Sequence, residues 1–134
     1  MVADYASIGL SLEAHPLQLL RRELGRRRYR TARELRQLEH GRPGRMAGLV
    51  INRQRPGSAN GVTFATLEDE SGHVNLVVWR RTGEAQRHAL LNARLLGVTG
   101  RWERHGDVCH LVAGRLEDLG FLLGELDVRS RDFH

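Results

Sequence analysis

The sequence predicts an all-β fold: a five-stranded Greek-key barrel with a short helix between strands 3 and 4, preceded by a small N-terminal helical segment. Three observations predict it. Apolar residues recur at helical spacing before residue 45, whereas from Arg45 onward they fall in short runs of β type. Turn residues punctuate those runs at short intervals. Gly48 and Gly100 stand inside two of the runs, where a tightly coiled barrel brings one backbone close to another. With 134 residues the chain can bury one core without disulfides or metals. The organisation expected is a helical linker over residues 1–44, a barrel over 45–116 and a tail over 117–134.

The elements follow in order. His15-Pro16 opens a helix whose Leu17, Leu20 and Leu24 form one apolar stripe, and Gly25 is expected to stop it. Thr31-Ala32-Arg33-Glu34 reads as a capping box, starting a second helix from Ala32 to about Glu39, with Gly41 as its left-handed cap and Pro43 preventing continuation. The first strand runs from Met46 to Arg55, and Gly48 marks a bulge or bend in it. A loop over 56–61 leads to a second strand, Val62 to Asp69. Glu70-Ser71-Gly72 turns tightly into a third, His73 to Trp79. Arg80 to Leu91 lacks β-branched residues apart from Thr82 and is read as a helix with Ala85, Ala89 and His88 inward. Arg94 to Arg104 is the fourth strand, His105-Gly106-Asp107 a turn, Val108 to Arg115 the fifth strand, and Glu117 to Leu126 helical or irregular. Trp79 and Trp102 are expected to close the barrel ends. Three strands, a helix and two strands is the order of the OB-fold, whose face and loops bind single-stranded nucleic acid or oligosaccharide.

Composition excludes several chemistries. All 21 basic residues are Arg, so mechanisms needing a Schiff-base or P-loop lysine are ruled out. A single cysteine, Cys109, excludes an internal disulfide and CxxC-type sites. No apolar run is long enough to span a membrane, and the start lacks the pattern of a secretory signal, so a cytoplasmic location is expected. Residues 1–45 carry a net charge of +5, 46–115 of +3 and 116–134 of −3. Such a basic chain suits an anionic partner, and Arg matches phosphate with a planar fork of donors.

No catalytic residue, metal ligand or cofactor site is assigned. Glu68-Asp69-Glu70 could suggest a metal-holding carboxylate pair, but consecutive strand residues face opposite ways and the triplet runs into Ser71-Gly72. It reads as a solvated hairpin turn with Asp69 bonding local amides. The seven His are scattered, and adjacent Cys109 and His110 cannot share an ion. The binding pattern is stronger. Arg53 and Arg55, in a stretch free of acids, form one jaw of a cleft. Arg101 and Arg104, with His105 at the tip of the turn, form the other. If Ala65 and Leu67 face the core, Phe64 lies on the ligand face, where an aromatic beside Arg stacks a base while its phosphate is neutralised. An isolated Phe can equally be packing, and the Arg pairs can be solvated edge residues. The basic segment from Arg21 to Arg45 is either an ordinary exposed helical surface or a contact to duplex backbone.

The strings GLSLEAHPLQLLRREL, GVTFATLEDESGHVNLVVW and VRSRDFH, above all the closing Ser130-Arg131-Asp132-Phe133-His134, resemble the C-terminal region of bacterial error-prone DNA polymerases, C-family relatives of the polymerase III alpha subunit. The Leu-Glu-Asp-Glu-Ser-Gly string is common to many OB domains and is less specific. The resemblance implies a longer protein, a DNA-directed DNA polymerase (nucleotidyltransferase), with its catalytic aspartates upstream. It also implies accessory mutasome partners resembling an inactive Y-family polymerase, and indirect work with the sliding clamp. No short clamp-binding motif is visible.

The expectation is a non-catalytic OB module that holds single-stranded template DNA during damage-induced translesion synthesis. The alternative is a module docking an accessory polymerase or mutasome subunit. A tRNA anticodon-binding OB domain shares the hairpin pattern but neither the His-Pro-Leu start nor the closing string.

Overall fold

The computed structural model describes residues 15–55 and 60–132, with side chains described up to Leu126. The readings placed on residues 1–14, 56–59 and 133–134 lie outside these.

The N-terminal segment folds as three short helices, α1 (Pro16–Leu19), α2 (Arg21–Arg26) and α3 (Ala32–Leu35). His15 caps α1: its Nδ1 accepts the Leu17 backbone N–H at 3.1 Å, and Pro16, which has no N–H to satisfy, occupies the first turn. Leu17, Leu20 and Leu24 are buried, as their spacing predicts. Gly25 does not end the run; α2 continues to Arg26, and the chain reverses at Arg28, which takes a left-handed φ of 70°. The Thr31–Glu34 capping box forms as read, but α3 stops at Leu35. Gly41 (φ 87°) lies beyond it and donates its N–H to the Trp102 carbonyl at 2.7 Å, so it steers the chain into the barrel rather than capping the helix.

Five strands close the barrel in the order β1 (Pro43–Gln54), β2 (Thr63–Asp69), β3 (Gly72–Val78), β5 (Val108–Asp118), β4 (Leu95–His105), with β4 returning to β1. The pairing of β3 with β5 is parallel, Leu76 opposite Leu111, and the others are antiparallel. The first half of β1 pairs with β4 and the second half with β2, so one strand bends across both sides of the closure. A Cβ on Gly48 would come within 2.9 Å of Leu67 Cβ, and one on Gly100 would run into the Val112 carbonyl. The bulge itself falls between Val50 and Asn52, beyond Gly48. Both outer strands also run past the 45–116 span, to Pro43 and Asp118.

The connection between β3 and β4 is two helices, α4 (Arg80–Ala85) and α5 (Arg87–Asn92), broken at Gln86. Ala85 and His88 are exposed; Leu90 and Ala93 are the residues this segment buries. α6 (Gly120–Asp132) follows β5.

The interior divides in two. Leu67, Leu76, Val98, Trp102 and Leu111 belong to the cluster inside the barrel. Leu17, Leu24, Tyr29, Leu95, Leu119 and Leu122 belong to a second cluster, which joins the N-terminal helices and α6 to Ala47 and Leu95 of β1 and β4. Trp102 is therefore core, but Trp79 is 56% exposed and closes nothing. Among the described residues no helix is long and apolar enough to cross a membrane.

Candidate nucleic-acid interface

Alternation along β2 decides which side chains meet a ligand. Thr63, Ala65, Leu67 and Asp69 are buried, which turns Phe64, Thr66 and Glu68 outward. Phe64 is 40% exposed, so it is not a core residue. It stands in an open groove of about 380 Å³. Asn52 and Gln54 of β1 and Thr66 of β2 line one side, while Asn75 and Val77 of β3 with Val108 and His110 of β5 line the rest. Among the described residues no acid and no Arg lines it. A solvated aromatic, apolar Val108 at 61% exposure and neutral amide and hydroxyl groups form a surface on which bases can stack and bond without charge repulsion.

The residues expected as jaws separate into three situations. Arg55 and His105 remain exposed at the two loops flanking the groove; Arg55 lines a small pocket of about 50 Å³ with Arg80, Arg87 and Glu84. Arg101 is held by Glu103, its guanidinium 2.5 Å from Oε2. Arg53 and Arg104 are turned away from Phe64. Arg53 donates to the Leu90 carbonyl at 2.7 Å and to the Ala93 carbonyl, tying down the end of α5. Arg104 donates to the carbonyls of Arg36 and Leu38 beyond α3. Arg53 thereby satisfies a carbonyl that the end of α5 leaves without a partner, and Arg104 ties down the connection that follows α3. The structure thus brings Phe64 into the groove with Arg55 and His105 at its flanks, and does not bring Arg53, Arg101 and Arg104 into its lining.

The acidic triplet is a structural clamp rather than a solvated turn. Asp69, with a fully buried carboxylate, accepts the Ser71 N–H at 2.8 Å, the Ser71 hydroxyl at 2.7 Å and the Gly72 N–H at 3.2 Å, as read, and also the Ala32 N–H at 2.7 Å from α3. Glu70 takes a two-pronged bond from Arg21 at 2.6 and 2.7 Å. Burial works to raise the Glu70 carboxyl, but the Arg21 bonds and charge outweigh it and hold it below the usual range. Glu68 sits between His15 (3.0 Å) and His73 (2.9 Å), which together outweigh its burial and lower it likewise.

The reading of the histidines as scattered does not survive folding. The β4–β5 hairpin sets Glu103 opposite His110, and two residues along the same face lies His105. His110 Nε2 is 3.1 Å and His105 Nε2 3.6 Å from the same Glu103 oxygen. The Arg101 hydrogen bond, against a smaller opposing effect of desolvation and with help from both His, holds the Glu103 carboxyl below its ordinary value. The groove residues Asn52, Gln54, Asn75 and Val108 also went unread from sequence. The signal that would have found them is the outward register partner of Phe64 on each neighbouring strand.

The family described as OB-fold nucleic acid binding domain matches residues 45–119. Over all 134 residues the chain is 67% identical to the error-prone DNA polymerase of Alkalilimnicola ehrlichii and 59% identical to that of Pseudomonas fluorescens, covering 13% of each. The chain thus spans about an eighth of the length of these curated relatives, and the resemblance read from its strings is shown. Among solved structures, asparaginyl-tRNA synthetase from Pyrococcus horikoshii superposes with a TM-score of 0.57 at 21% identity, over 68% of this chain and 23% of the synthetase. The hypothetical protein ygiW from E. coli superposes at 0.52 and 11% identity, over 68% and 89%. These two likenesses show the fold alone.

Proposed function

The chain belongs to the family of OB-fold nucleic acid binding domains, and from that membership we propose that its β2–β3 groove holds single-stranded DNA for an error-prone, translesion DNA polymerase. The observation that carries this reading is the exposed Phe64 set among Asn52, Gln54, Thr66, Asn75 and Val108 in a groove that no carboxylate of the described residues lines. Bases stack on Phe64 and pair with the amides, while Arg55 and the +3 charge of residues 46–115 attract the phosphates. The module is non-catalytic: in this reading the polymerase chemistry belongs to the rest of the longer protein. Accessory mutasome proteins and the sliding clamp act with the whole. Docking of an accessory subunit, the second reading, is favoured by exposed Phe121 and Trp79, neither of which lines the groove.

Titration of fluorescent single-stranded DNA at two salt concentrations tests the first reading. Binding with little sequence preference and a slope of log affinity against log salt of about −2 to −3 is expected, at roughly −0.7 per phosphate contact. Salt-independent binding would contradict it.

A further inference from the structure

We propose that Glu103, His105 and His110 at the tip of the β4–β5 hairpin form a site for one transition-metal ion of the Zn²⁺ class, beside the groove that His110 also lines. One carboxylate oxygen and two imidazole nitrogens lie within 4.8 Å of one another. Zinc bonds of about 2.0–2.1 Å set the edges of a tetrahedron at roughly 3.3–3.4 Å. Two of the three separations, 3.1 Å and 3.6 Å, already match that edge. Closing the third requires only a movement of His105, whose side chain is 62% exposed at the turn.

The surroundings fit a ligand set. Arg101 bonds the other oxygen of Glu103, Oε2, and so fixes the carboxylate through the atom the ion does not use. His40 packs edge-on against His105, ring centroids 5.1 Å apart, and limits where that ring can turn. His40 is not a ligand in this arrangement: its Nδ1 accepts the Arg104 N–H, which leaves the proton of a neutral ring on Nε2. The ion takes the Nε2 lone pair of each ring: a neutral ring then carries its one proton on Nδ1, and a cationic ring releases its Nε2 proton to solvent. Two imidazoles and one carboxylate select Zn²⁺, Co²⁺ or Ni²⁺ over Mg²⁺, which prefers oxygen, and three protein ligands leave a fourth position open.

The other carboxylate with two histidines does not offer this. His15 and His73 address different oxygens of Glu68, and His15 Nδ1 is committed to the Leu17 N–H.

The test is calorimetry of tag-free full chain with ZnCl₂ alone, paired with Co²⁺ absorption spectra. Expected are one ion per chain and the visible bands of four-coordinate Co²⁺. His105→Ala and His110→Ala should each weaken binding by about tenfold or more, and Glu103→Gln, which keeps the side chain's shape, should weaken it too. His88→Ala, exposed on α5, should leave it unchanged. Melting curves of each variant establish that the fold is intact. Absence of a saturable Zn²⁺ heat, or wild-type affinity in the His105→Ala/His110→Ala double variant, would overturn the proposal.

Discussion

The barrel has two antiparallel hairpin turns of similar composition, β2–β3 and β4–β5, and they do different things. Each carries a glutamate flanked by two histidines, Glu68 with His15 and His73, and Glu103 with His105 and His110. At β2–β3 the N-terminal helices supply His15, Arg21 and the Ala32 N–H. One oxygen of Glu68, one of Asp69 and both of Glu70 thereby fasten those helices to the barrel. At β4–β5 the partners come largely from the hairpin itself, and His105, Gly106 and Asp107 stay exposed. The same residue types are cement where the N-terminal helices bond them directly, and bond mainly within their own hairpin where the helices do not. The partners each carboxylate reaches, rather than composition, separate the two: the Glu68 and Glu103 side chains are 14% and 17% exposed.

The largest expected effect lies at the covered turn. Asp69→Ala leaves the Ala32 N–H buried without its acceptor and removes the charge facing Arg21 at 3.5 Å. A stability loss of about 3–5 kcal/mol is expected in urea unfolding. The equivalent change at the other turn, Glu103→Ala, should cost less than about 1 kcal/mol, since its partners Arg101 and His105 are largely solvated, at 63% and 62% exposure. Equal losses at the two turns would erase the distinction.

Acid sharpens it next. Glu70 has a folded pKa below its ordinary 4.5, so its contribution is present above that value and lost as pH falls through the folded pKa. Stability of the wild type should therefore decline below about pH 4.5, and Glu70→Gln should flatten that decline in pH-dependent melts. A smaller effect is expected from Arg53→Ala and Arg104→Ala. Each removes a cation from backbone carbonyls, so a stability loss of roughly 0.3–1 kcal/mol is expected from parallel melts and titrations, with a loss of DNA affinity smaller than that of Phe64→Ala.

These last two residues show where sequence reading stops. Period-two alternation puts Phe64 and Leu67 on opposite faces and leaves burial to decide which is outward, while the mid-strand glycines foretell the close approaches at Leu67 and Val112. Alternation says nothing about the carbonyl a long Arg side chain will reach, and Arg53 finds Leu90, 37 residues away. Asp69 reads as a turn residue because its bonds to Ser71 and Gly72 are local; its bond to Ala32 is made only when α3 docks. The β3–β4 connection misleads because a break at Gln86 rotates the second helix, so that Leu90 rather than Ala85 or His88 faces the core. The pairing of Glu103 with His110 becomes legible once the turn at Gly106 fixes the register.

The most direct measurement is a titration of single-stranded DNA against wild type and Phe64→Ala at two salt concentrations, with melting curves on the same samples. Phe64 is 40% exposed in the groove, so the variant should lose roughly 1–3 kcal/mol of binding while its salt slope and melting temperature stay those of the wild type. Undiminished affinity in Phe64→Ala would place the DNA elsewhere on the barrel and contradict the groove as the binding face.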